Sequence, residues 1–183
     1  VYMLSYTSGT TGDPKGVKLT HKMMVNGVYA MQGPLAAKPL NEEDCYISYL
    51  PAAHAFEQAL FASSLVYGVG CGFFAGNVLK LTADVAVLKP TLFPSVPRLY
   101  NRIYGKLQAK IQDAEGVKGW LLEKAVAAKL DNYRNGYGLT HSIYDKLVFN
   151  KMKAVLGGNV RVMITASAPI APDVLDFLKI CFC

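Results

Sequence analysis

The run YTSGTTGDPKG, positions 6–16, restricts this chain more than any other segment. Three glycines, a proline and a row of short hydroxyl side chains cannot sustain a helix, so the run must be a loop. The apolar, β-prone VYMLSY that precedes it is expected to be a buried strand delivering the loop at its carboxyl end. Gly9, Gly12 and Gly16 permit positive φ, which lets successive amide N–H groups converge on an anion without Cβ atoms in the way. Thr7, Ser8, Thr10 and Thr11 add hydroxyl donors, and Lys15 adds a mobile point charge behind the stiff Pro14. A backbone grips a polyphosphate by these means. The pattern is not GxxxxGK[ST], because Lys15 stands between Pro14 and Gly16, where a helix cannot start at once, so the loop of ordinary P-loop nucleotide hydrolases is disfavoured. The competing reading is a Gly/Thr-rich surface hairpin without a ligand.

Together with four further segments, this run resembles the phosphate-binding motif of the acyl-adenylate-forming (AMP-binding enzyme) superfamily. LPAAHAFEQ at 50–58, with Glu57 three residues after His54, is similar to the second adenylation motif of the long-chain acyl-CoA synthetases. KPTLFPSVPRLYNRIY at 89–104 looks like a strand and following helix of that group, and is its most diagnostic segment in this chain. VRVMITASAPIAPDVLDFLK at 160–179 resembles the strand and turn that lie against the adenine, and GVKLTH at 16–21 the strand and helix start after the phosphate loop. The resemblance implies that Thr7, Ser8, Gly9, Thr10, Thr11, Gly12 and Lys15 hold the phosphates of ATP. It implies that Ala166, Ser167, Ala168 and Pro169 border the base, Ala166 standing where the family more often carries glycine. Lys15 and His54 become the expected catalytic residues, His54 facing the reacting carboxylate and the α-phosphate.

The implied reaction joins a long-chain fatty carboxylate to AMP at the expense of Mg²⁺·ATP and then transfers the acyl group to CoA. An amino-acid- or aryl-acid-adenylating ligase is the alternative within the superfamily. An amino-acid ligase needs an acidic residue for the substrate amine, and none can be assigned. A catalytically incomplete ATP-binding remnant is the alternative outside catalysis. The family's later motifs, which hold the ribose and carry the lysine of a mobile C-terminal domain, have no counterpart in this sequence. The 183 residues therefore read as a partial N-terminal AMP-binding domain: phosphate loop 6–16, helical insertion at about 97–156, and adenine-side strand and turn 160–170. On that reading the isolated chain is expected to be inactive.

Strands alternating with helices predict an α/β fold, layered, with largely parallel sheets covered by helices on both faces. Strands are expected at 2–6, 16–19, 45–49, 71–74, 91–95 and 160–165, with Pro94 and Pro97 ending the fifth. Helices are expected at 20–31 behind a Thr20 cap, 55–67, 82–87, 97–113, 116–134, 140–156 and after Pro172. In the insertion Ile103, Leu107 and Ile111, then Trp120, Leu121, Leu122 and Val126, recur at helical spacing as a packing stripe. Lys106, Lys110, Lys118 and Lys124 punctuate it, which admits a peripheral membrane contact.

The net charge of +6 comes from scattered basic residues without a Lys/Arg run, which speaks against nucleic acid as a partner. Cys45, Cys71, Cys181 and Cys183 show no metal-binding spacing and read as free thiols in a reducing, intracellular compartment. The cytoplasmic side of the endoplasmic reticulum, the peroxisome or the mitochondrial surface is the expected setting. The uncharged stretch 58–79 is long enough to span a bilayer, but its four glycines favour a helix, a turn and a strand. Glu57 is open between a pocket role and a solvent or salt-bridging role, His21 and His141 are expected to be structural, and Arg98 and Arg102, one turn apart as a phosphate clamp would place them, are expected to make structural ion pairs with the helical region instead.

Overall fold

In the computed structural model, residues 1–7, 12–166 and 168–183 are described. They divide into two units, Val1–Val78 and Leu79–Cys183.

The first unit opens with strands β1 (Met3–Thr7) and β2 (Lys15–Leu19), paired antiparallel in the register Met3↔Leu19 to Thr7↔Lys15. Thr20 then caps helix α1 (His21–Gln32): its backbone is extended, and its Oγ accepts from the Met23 amide at 3.2 Å. Met24 and Val28, one turn apart, form the buried face of α1, which packs against α2 (Ala55–Tyr67). Gly68, at φ +69°, ends α2 in the left-handed conformation that glycine takes most easily. Strands β3 (Cys45–Ser48) and β4 (Gly70–Phe73) flank α2 in sequence and pair parallel, from Cys45↔Gly70 to Ser48↔Phe73.

The second unit repeats that logic with a longer crossover. Helix α3 (Leu81–Leu88) stops at Lys89, which adopts φ +51° and is the only non-glycine residue with positive φ among those described. Gly157 explains part of this packing, since a Cβ there would come 2.7 Å from the Lys89 Cα. Strand β5 (Leu92–Ser95) pairs parallel with β6 (Val162–Thr165), register Leu92↔Val162 to Ser95↔Thr165. Between them run α4 (Pro97–Gln112), α5 (Gly116–Arg134), a short helix α6 (Ser142–Tyr144), a π-helical turn Asp145–Phe149, α7 (Asn150–Lys153) and a 3₁₀ turn Ala154–Leu156. Helix α8 (Pro172–Phe182) follows β6, with Pro172 at its first position where the missing N–H costs nothing. Its Val174, Phe177, Leu178 and Cys181 face inward against α4, α5 and α7. The core of this unit lies there and along β5.

Most expected elements stand within two residues of their observed bounds, and the parallel pairs with covering helices bear out the α/β class. Five expectations need correction. Strand β1 is largely exposed rather than buried, Tyr6 at 66%, because among the described residues its sheet holds two strands and Leu4 and Tyr6 are left uncovered. Gly16 needs no positive φ; it lies inside β2, and its lack of a Cβ makes room for the Tyr6 ring, which would stand 3.2 Å from such an atom. Pro94 sits within β5 opposite Ile164 instead of ending it. The stripe on α4 holds, with Ile103, Leu107 and Ile111 buried, but on α5 Trp120 is 58% exposed and the buried positions are Gly119, Ala125 and Lys129. A Cβ on Gly119 would overlap the Ala114 carbonyl oxygen, so α5 closes on the turn before it through a bare backbone. Arg98 and Arg102 are exposed, and among the described residues neither pairs with a carboxylate.

His21 meets Tyr2 edge to face at 5.3 Å, and His141 caps α6 through Nδ1, which accepts from the Tyr144 amide. All four cysteines are free thiols. Among the described residues no helix is long and apolar enough to cross a membrane.

Candidate functional site

The last rung of the β1–β2 hairpin sets Thr7 against Lys15, and the Thr7 hydroxyl donates to the Lys15 carbonyl at 3.5 Å. Both side chains are exposed at the mouth of the loop that joins the strands. Gly12 lies on that loop at φ +134°, and among the described residues nothing stands within 4 Å of where a Cβ would be. Ser8, Gly9, Thr10 and Thr11 lie outside the described residues.

Two hydrogen bonds fasten the hairpin to segment 50–58. The Tyr2 hydroxyl donates to Gln58 Oε1 at 2.6 Å, and Ser5 Oγ donates to the Ala53 carbonyl at 3.2 Å. Gln58 Nε2 in turn donates to the Ala52 carbonyl at 2.7 Å, closing the turn on itself. The phosphate-loop candidate and the histidine-bearing motif, about 40 residues apart in sequence, therefore share one unit and one hydrogen-bonded frame. His54 occupies the N-cap of α2, exposed, with its amide donating to the Pro51 carbonyl at 2.9 Å and its imidazole uncommitted to a cap bond. Sequence reasoning singled out His54 and Lys15 as candidates but not Tyr2, Ser5 and Gln58, whose hydrogen bonds show only when strand and turn are adjacent.

Glu57, one turn inside α2, points the other way. Its side chain is 3% exposed, and Oε1 accepts from Ser48 Oγ at 2.6 Å and from the Tyr46 hydroxyl at 3.4 Å, both on β3. Oε2 is buried with no partner among the described residues. Burial pushes the Glu57 carboxyl above the ordinary carboxylate range, although the two hydroxyl donors pull in the opposite sense. The solvent role left open for Glu57 is thereby excluded. A carboxyl whose folded pKa is raised stabilises the fold fully below its unfolded value, about 4.3, and that contribution is lost as pH rises through the folded value. Glu57→Gln should therefore gain stability relative to the native protein as pH is raised from about 5 towards about 8 in urea titrations. Parallel pH profiles for the two proteins would contradict the assignment.

Ala166, Ala168 and Pro169 belong to the second unit, directly after β6, Ala166 half-buried and the other two exposed; Ser167 lies outside the described residues. Tyr100 of α4 braces the strands that carry them, its hydroxyl donating to the Phe93 carbonyl of β5 and, at 3.2 Å, to the Ile164 carbonyl of β6. At the carboxyl end of β6 the Thr165 hydroxyl is buried without a partner among the described residues, one residue from the expected base-binding turn. The sequence carries no signal for that orphan, because a threonine at a strand end is ordinary.

The family model described as AMP-binding enzyme matches residues 1–183. A peroxisomal long chain acyl-CoA synthetase 6 of Arabidopsis thaliana is 44% identical over 182 residues, covering 100% of this chain and 25% of the relative. Long-chain-fatty-acid–CoA ligase 1 of Cavia porcellus is 42% identical over 178 residues, covering 97% of this chain and again 25% of the relative. The chain thus spans about a quarter of the length of these curated relatives. Among solved structures, the adenylation domain of a carboxylate reductase from Mycobacterium chelonae superposes with a TM-score of 0.69 at 20% identity, over 97% of this chain and 24% of that one. A long-chain-fatty-acid-CoA ligase from Archaeoglobus fulgidus does so with a TM-score of 0.56 at 21% identity, over 96% and 26%. At those identities the structural likeness speaks for the fold.

Proposed function

As this chain belongs to the AMP-binding enzyme family, we propose that it forms part of the N-terminal domain of a long-chain fatty acid–CoA ligase and carries its ATP phosphate loop. The observation that supports this best is the frame built by Tyr2–Gln58 and Ser5–Ala53, which keeps the Lys15 loop and His54 in one unit. The names of the similar curated relatives supply the substrate class.

On this reading the loop 6–16 wraps the β- and γ-phosphates of ATP, with Gly9 and Gly12 exposing amides, Thr7, Ser8, Thr10 and Thr11 contributing hydroxyls, and Lys15 neutralising charge. The fatty carboxylate oxygen attacks the α-phosphorus, the bond to the bridging oxygen breaks, and pyrophosphate leaves with its electron pair. His54, exposed at the head of α2, donates to oxygens that gain charge as that displacement proceeds. Ala166, Ser167, Ala168 and Pro169 flank the adenine, where small side chains let a flat base lie against backbone. The thiol of CoA then displaces AMP from the acyl carbon to give the thioester.

Mg²⁺ bound through substrate phosphates and water, as it commonly is, needs few protein ligands, and the Thr7 hydroxyl at the loop mouth fits an outer contact to such a hydrated ion. When present it supplies further neutralisation of the phosphates. We place the protein inside the cell, on the cytoplasmic side of a membrane-bounded organelle; the names of two relatives carry the word peroxisomal and nothing finer.

Exchange of radiolabelled pyrophosphate into ATP tests this in the full-length protein that contains the chain. Palmitate is expected to drive exchange, and amino acids or benzoate are not. ATP binding without palmitate-dependent exchange would remove the ligase reading and leave a nucleotide-binding remnant.

A further inference from the structure

The second unit holds an apolar groove of about 540 Å³ that no step of the proposed reaction uses. Three helical segments wall it: α4, α5 and the stretch from the π-helical turn to the 3₁₀ turn. Leu107 and Ile111 of α4 and Val148 and Met152 opposite them form a buried floor. Each wall also brings one exposed lysine, Lys110, Lys118 and Lys151 in turn, and no carboxylate lines the groove. Among the described residues none of the three lysines pairs with an acid.

Concave shape and charge together choose the occupant. A groove of this volume lies within the range of small-molecule sites, roughly 300–1,000 Å³. Apolar walls favour a hydrocarbon chain, and three unpaired ammonium groups at the rim favour an anionic head. The wider surroundings carry the same sign. Residues 97–156 hold eleven of the 19 Lys/Arg and five of the 13 Asp/Glu, so their surplus of six equals the +6 of the whole chain. A partner protein with an acidic face would not need a hollow floor, and a bilayer would meet a protruding surface better than a recessed one.

We propose that the groove binds a single-chain amphiphile with an anionic head, the chemistry shared by a long-chain fatty carboxylate and its CoA thioester. The chain lies along Leu107, Ile111 and Met152, and the head meets Lys110, Lys118 and Lys151. None of the residues assigned to ATP or to the reacting carboxylate lines it, so it is a second site for this class of molecule and does not depend on the proposed reaction.

Photolabelling of the full-length protein with a diazirine-bearing palmitate, followed by peptide mapping, tests it. Labelling is expected on peptides that contain Leu121 and Met152. The exposed charge reversals Lys110→Glu, Lys118→Glu and Lys151→Glu, combined, should lower it roughly tenfold while circular dichroism and palmitate-driven pyrophosphate exchange stay unchanged. Leu147→Asp, at a rim position 52% exposed, should lower it as well without disturbing the fold. Displacement of the label by palmitate assigns the site to the free carboxylate, and displacement by palmitoyl-CoA alone assigns it to the thioester. Equal labelling by the matching diazirine-bearing alcohol, or no label in these peptides because another part of the protein fills the groove, would overturn the proposal. Because exchange is read separately, loss of the ligase activity and loss of this site are distinguishable.

Discussion

Lys15→Ala in the full-length protein is expected to slow acyl-adenylate formation by about 10²-fold while changing fatty-acid binding little. Lys15 is the first residue of β2, and its backbone is fixed by the terminal rung with Thr7. Its side chain is exposed, and among the described residues it makes no ion pair, so its charge is available to a ligand at the loop. An ammonium aimed at a departing pyrophosphate is worth more in the transition state, where charge accumulates on the leaving oxygens, than against bound ATP. The loss should therefore appear in the rate constant for adenylation more than in the KM for palmitate. Lys15→Arg should recover part of the rate, since it restores charge with a different donor geometry. Equal losses in adenylation rate and fatty-acid affinity would instead mean that the substitution disturbs the whole first unit.

Asp145→Ala should destabilise the second unit by about 3–5 kcal/mol, a large fraction of the net stability an ordinary domain possesses. Lys129 is 1% exposed, and its ammonium lies 2.8 Å from Asp145 Oδ1 and 4.2 Å from the centre of the Phe149 ring. Asp145 and Phe149 are the first and last residues of the π-helical turn, whose wider winding brings both to the same cation. Asp145 Oδ2 also accepts from the His141 amide at 2.8 Å. Removing the carboxylate leaves a buried charge without its partner. Lys129→Met removes the charge while keeping the hydrophobic volume, and should cost far less.

The pH dependence follows from the same geometry. Burial acts to raise the Asp145 carboxyl, but the Lys129 hydrogen bond, the His141 amide and the nearby positive charges outweigh it, and the pKa is lowered. A depressed folded value means that the stabilisation is complete above the unfolded pKa of about 3.9 and is lost as pH falls through the folded value. Urea titrations of native protein and variant should therefore converge below about pH 4 and stand furthest apart at neutral pH.

Much of the architecture was legible because its signals are local. Pro97 at the start of α4, Gly68 at the end of α2 and Thr20 before α1 each act through their own backbone geometry, and the helices begin and end where those residues stand. The α4 stripe was legible because Ile103, Leu107 and Ile111 have one inward face whatever they pack on. The misreadings concern charge and exposure set by distant partners. No motif in the sequence marks Lys129 as buried, because its partners Asp145 and Phe149 come from the π-helical turn, and Glu57 reads as ambiguous until Tyr46 and Ser48 stand beside it. Strand β1 looks buried from its composition, yet among the described residues only β2 pairs with it.

Of the site, the residue types that suit phosphate were legible in the sequence, but the frame that gathers them was not. Ser5, Tyr2 and Gln58 carry no motif, and their hydrogen bonds are what joins the hairpin to His54.

A crystal structure of the full-length protein with a non-hydrolysable ATP analogue tests the central claim most directly. The account predicts the β- and γ-phosphates within hydrogen-bonding distance of the Gly12 amide and the Lys15 ammonium, inside the bend between β1 and β2. A triphosphate seated away from that bend, with Lys15 turned to bulk water, would contradict it.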